Sequence, residues 1–184
     1  MARNSSGFRT EIIDVASRLF ATSGYKGTSL QDIAREVGCS KAALLYHFDG
    51  KDAILTELLA PAVRALAELD ARLAGLEGDA AVLPAVEGYV DFVLRFRRQV
   101  KILYDAIPEM LRHAALAEVP EKSDRLLDAL AGRSPDAEPR VAALMVLAAV
   151  PAVCTSPTPL PDAELRRVLI RSALRTLDRD LTHP

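Results

Sequence analysis

Within residues 40–51 stand Ser40, Lys41, Ala42, Leu45, Tyr46, His47 and Lys51, with Thr28 a short way upstream. Their types suit the chemistry of a nucleic-acid surface. Hydroxyls, Lys, His and helix starts bind phosphate oxygens, while small or flat side chains meet base edges and thymine methyls in a groove. Thr28, Ser40, Lys41, Tyr46, His47 and Lys51 are therefore candidate phosphate or base-edge contacts, and Ala42 and Leu45 candidate apolar ones. Other chemistries find little footing. The chain has no nucleophile elbow, no phosphate-cradling glycine loop and no paired metal motif, and His47, His113 and His183 lack ligand spacing. No enzyme activity, metal or cofactor is expected. Cys39 and Cys154 make no disulfide framework, which fits a reducing cytoplasm, and both read as small buried residues.

Positioning such a set requires a helix held by its back. Leu30, Ile33, Ala34 and Val37 recur at i, i+3, i+4 and i+7, one apolar face of a helix. Thr28 and Ser29 can each cap it, with Gln31 and Asp32 three residues on, and Gly38 supplies a left-handed stop. Ser40 then caps a second helix in which Leu44 and Phe48 face the first, leaving Ala42, Leu45 and Tyr46 on the outer side. A short helix of that kind fits the major groove of B-DNA. Caps and periodicity alone fit equally well a plain α-hairpin resting on other helices.

Specific residues shift that balance. The run Gly27-Thr28-Ser29, Asp32-Ile33-Ala34, Val37-Gly38, Ser40-Lys41 and Tyr46-His47-Phe48, followed by Lys51 and Leu55, resembles the tetracycline-repressor (TetR) family of bacterial regulators. The resemblance covers about residues 8–59, without a gap. It implies a three-helix DNA-binding head, residues 1–51, and a helical ligand-binding and dimerisation domain, residues 52–184. It also implies a homodimer that binds palindromic double-stranded operator DNA, mostly as a repressor, and lets go on binding a small effector. One departure stands out. The family's usual Tyr after the inward Leu44 is Leu45 here and Tyr46 comes one place later, so that Tyr's phosphate contact does not transfer to residue 45. A helical small-molecule-binding module without specific DNA binding is the alternative.

Composition is compatible with this reading without demanding it. Half of the 184 residues are hydrophobic, 26% are charged and the formal net charge is −2, so no bulk attraction to nucleic acid exists. Residues 1–51 carry seven Lys/Arg and five acids, against sixteen and twenty beyond them, a basic end on an acidic body. Residues 1–9 read as a loose arm without a signal-like apolar region, and Thr10 as the cap of a first helix with Ile12, Ala16, Leu19 and Phe20 inward, stopped by Gly24.

Further along, a long apolar stripe from Ile54 to Leu73 meets Pro61, which predicts a kink or break near Glu57–Pro61. Tyr89, Phe92, Phe96 and Tyr104 are all the aromatics after Phe48. With Gly88 making room and Met110 beyond, they form the candidate effector site for a largely apolar ligand, the tyrosine hydroxyls being its polar handles. Val141–Cys154 holds no polar side chain apart from the terminal thiol, too short to span a bilayer and apolar all round, which calls for cover by a partner subunit. The last helix follows the proline-rich residues 157–161. Leu144, Leu147, Leu165, Leu169 and Ala173 are the candidate dimer contacts. No strand-like alternation and no repeat is present, so the fold class is all-α.

Overall fold

The computed structural model describes residues 5–105, 116–157 and 159–179, and every regular element among them is a helix. In chain order these are α1 (Ser5–Gly27), α2 (Leu30–Val37), α3 (Lys41–His47), α4 (Gly50–Leu73), a 3-10 turn (Gly78–Ala81), α5 (Val82–Arg95), α6 (Arg97–Asp105), α7 (Val119–Leu130), α8 (Ala137–Thr155) and α9 (Asp162–Thr176). Two compact units form. One joins residues 1–61 with 98–115, the other 62–97 with 116–184, so the division falls inside α4, directly after Pro61.

In the first unit α1 buries Ile12, Ala16 and Phe20 of the expected stripe, with Val15 in addition and Leu19 only half-buried, and Gly24 interrupts it at φ 75°, ψ 159°. Helix α1 begins at Ser5 rather than at Thr10, because its first turns are anchored: Arg9 pairs with Glu57 and donates to the His47 carbonyl. Ser29, not Thr28, caps α2. Its hydroxyl accepts from the Asp32 N–H at 3.1 Å, and the Asp32 carboxylate accepts from the Ser29 N–H at 3.0 Å. Gly38 (φ 74°, ψ 37°) closes α2 by donating to Ala34 and Arg35 carbonyls, a conformation no side chain adopts cheaply. Helix α4 runs through Pro61 without a break. Pro61 lies on the exposed side of the helix.

In the second unit α5 is the central element, with α7, α8, α9 and the 3-10 turn against it and Val82, Ala85, Val86, Tyr89, Val90 and Val93 buried. Bidentate arginines tie helices together: Arg125 of α7 to Asp70 of α4 (2.7 and 2.7 Å), and Arg166 of α9 to Asp91 of α5 (2.6 and 2.9 Å). Arg133 holds the end of α4 by donating to the Leu73 and Leu76 carbonyls at 2.8 and 2.7 Å. Helix α8 turns Ala143, Val146, Val150 and Cys154 inward and leaves Val141, Leu144, Met145 and Val153 exposed. Its 19 residues are longer than the apolar run expected from sequence and, by length and composition, are enough to cross a membrane.

Candidate functional site

Helix α3 is short, and its hold on the first unit comes from one side. Leu44 is fully buried and Phe48, its C-cap, nearly so. Ser40 accepts from the Ala43 N–H at 3.0 Å, satisfying one of the free N–H groups at the helix start. With the back fixed, Ser40, Lys41 and Ala42 are exposed, Leu45 is 45% exposed and Tyr46 is 86% exposed. So large an exposure for a tyrosine is unfavourable in isolation and leaves its ring available to a partner. His47 is half-buried, its ring edge-on to Tyr46 at 5.3 Å and to Phe8 at 5.2 Å. Together these residues make an exposed row of hydroxyl, cation and flat apolar groups along one helix.

Two expected contacts are placed differently. Thr28 is buried, and its hydroxyl donates to the Gly24 and Leu19 carbonyls, so it secures the α1–α2 connection and offers no hydroxyl to phosphate. Lys51 is partly buried. Its ammonium donates to the Tyr25 carbonyl at 2.6 Å and the Thr28 carbonyl at 2.9 Å and lies 4.1 Å from the Tyr25 ring centroid. Burial pushes its pKa down, with Asp52 acting against that. Tyr25 in turn donates its hydroxyl to Asp52, and burial together with that carboxylate pushes its pKa up. Lys51 thus has two of its three donors turned inward and binds helices before it can bind DNA. Cys39, read as buried in the turn, is half-exposed.

Arg9 is the residue that spacing could not reveal. It lies on α1, 48 positions before its Glu57 partner and 38 before His47, and sits 4.1 Å over the Phe48 ring. The Glu57 carboxylate raises its pKa further, burial opposing.

The candidate effector residues divide. Gly88 gives no room to a ligand: a Cβ there would stand 2.4 Å from Leu69 Cδ1, so the glycine lets α5 lie against α4. Tyr89 is buried and donates its hydroxyl to the Leu147 carbonyl at 2.7 Å. That carbonyl is the one whose helical donor would be residue 151, and Pro151 has no N–H. Tyr89 therefore completes α8 and is no polar handle for a ligand. Phe96 is buried, Phe92 is half-buried at 5.4 Å from it, Tyr104 is 47% exposed, and Met110 lies outside the described residues.

The candidate dimer residues divide likewise. Leu144 is exposed and Leu147 half-buried, but Leu165, Leu169 and Ala173 turn inward, because α9 packs that stripe against its own chain. They line a groove of about 290 Å³ with Val146, Val150 and Met145. Val168, 41% exposed, takes the outward place expected of Leu169.

A capped two-helix motif on α1, joined to a separate helical unit, defines the class: a helix-turn-helix DNA-binding head with a helical companion domain. The model of bacterial regulatory proteins of the tetR family matches residues 12–58. The chain is 43% identical over 54 residues to the HTH-type transcriptional repressor KstR2 of Rhodococcus jostii (strain RHA1), a match covering 29% of this chain and 26% of that protein. It therefore spans about a quarter of the curated relative's length. Over nearly the whole chain it resembles the crystal structures of Mycobacterium smegmatis AmtR (30% identity, 94% of this chain and 86% of that one, TM-score 0.64) and of a TetR-family transcriptional regulator from Bordetella parapertussis 12822 (27%, 96% and 97%, TM-score 0.73). The chain belongs to the TetR family.

Proposed function

We propose that the protein is a homodimeric, ligand-responsive transcription regulator, acting as a repressor in the cytoplasm. In this reading residues 1–51 read a palindromic operator, while residues 52–184 pair the subunits and bind a small, largely apolar effector that releases the DNA. One observation carries it: α3 is fastened from behind by Leu44 and Phe48 and shows Ser40, Lys41, Ala42, Leu45 and Tyr46 outward. The relative named a transcriptional repressor agrees, over the 54 residues that it matches. Dimerisation is supported by the exposed apolar side chains of α8 together with Val168. The effector reading rests on Phe92, the α5 aromatic with accessible ring surface, and no enzymatic step is part of it.

Selection from a random duplex pool by the purified chain tests the proposal. Enriched sequences should contain two related half-sites whose centres lie about one helical turn, roughly 34 Å, apart. Tyr46→Ala should lower affinity for the selected duplex more than for random DNA. A pool that never departs from random would overturn DNA reading and leave a binding module.

A further inference from the structure

Arg9 makes three contacts at once. Its Nε donates to both Glu57 oxygens at 2.9 Å, Nη2 donates to the same carboxylate, and Nη1 donates to the His47 carbonyl at 2.5 Å. The guanidinium carbon lies 4.1 Å from the Phe48 ring centroid. His47 ends α3 and Phe48 caps it, so Arg9 grips the last residue of the recognition helix by its backbone and the next by its ring. A seven-residue helix has few internal bonds of its own, and its final carbonyls lack N–H partners, which makes such an outside donor count. A guanidinium is also flat and rigid. Once Nε and Nη2 are seated on the Glu57 carboxylate, the direction of Nη1 is set.

We propose that Arg9 is a positioning residue for DNA reading: through it, Glu57 of α4 fixes where the C-terminal end of α3 stands. The inference rests on the DNA-reading function above. Phosphate binding by Arg9 itself is the rival role, since its side chain remains 43% exposed. The two roles differ in what they do to free protein, to sequence preference and to salt dependence.

The experiment uses the full chain and the variants Arg9→Ala, Arg9→Lys and Glu57→Gln. Amide exchange is followed over peptides covering residues 41–49, with α2 and α5 peptides as controls for folding. Arg9→Ala and Arg9→Lys should both speed exchange over 41–49 by about tenfold while the control peptides hold, because lysine keeps the charge and loses the fork. On DNA, Arg9→Ala should weaken the selected duplex about tenfold, leave random duplex within about twofold and keep the slope of affinity against log salt. Glu57→Gln removes a negative charge, which by charge alone would tighten binding; the positioning role requires it to weaken the selected duplex. Unchanged exchange over 41–49 overturns the proposal. Equal losses on both duplexes, with the salt slope smaller by about one, overturn it in favour of a phosphate contact. Should the wild-type chain select no sequence at all, the function above falls, while the exchange arm still decides whether Arg9 holds α3.

Discussion

Lys51 shows how a residue's type and its work can part company. As a cation near a recognition helix it reads as a phosphate contact, yet it bridges the Tyr25 and Thr28 carbonyls across the α1–α2 connection. Lys51→Ala should therefore lower the thermal stability of the free protein by about 1–2 kcal/mol, the scale of charged hydrogen bonds discounted for partial exposure. A variant that melts like wild type and differs only on DNA would restore the phosphate role. Tyr89 makes the same point in the core. Tyr89→Phe removes the hydroxyl that donates to the Leu147 carbonyl and should cost about 1–2 kcal/mol. In a Pro151→Ala background the new N–H can serve that carbonyl, so the same change should cost well under half as much, a coupling that chemical denaturation of the four proteins measures. Equal costs in both backgrounds would show that Tyr89 contributes through its ring alone.

Among the elements, what could be read in advance is what is local. The Ser29–Asp32 box, the Gly38 stop, the Ser40 cap and the inward pair Leu44 and Phe48 all lie within twenty residues, and each depends on neighbours three or four places away. Arg9 with Glu57, Tyr89 with Leu147 and Arg133 with the end of α4 are 48 to 60 residues apart, so no spacing announces them. Gly88 was legible as a need for room but not as room for Leu69. The inward turn of Leu165, Leu169 and Ala173 escaped for a related reason: α8 and α9 are apolar on more than one side, and periodicity does not say which side meets a partner. The tie between α4 and α7 carries a pH signature. Hydrogen bonds from Arg125, with burial opposing, hold the Asp70 carboxyl below the ordinary carboxylate range. A depressed folded pKa means that the stabilisation is present above the ordinary value and disappears as pH falls through the folded one. Acid titration of the melting temperature should show that loss, and Asp70→Asn should flatten it; an unchanged acid limb would place the effect on other carboxylates.

For the whole molecule, the proposed pairing of subunits rests on the apolar side chains that α8 and Val168 leave exposed. Met145→Glu, at a position 58% exposed, should yield a folded chain that sediments as a monomer, whereas Leu169→Glu, only 7% exposed, should unfold the domain first. A Met145→Glu chain that remains paired would move the interface elsewhere. Placing Val141, Leu144, Met145 and Val153 on the outside of one helix has a consequence for gene dosage. When pairing needs a second copy, the paired fraction follows mass action, and in dilute protein the concentration of pairs rises as the square of the number of chains. A cell making half as much of this protein would then hold about a quarter of the operator-binding species, so occupancy would fall more steeply than expression.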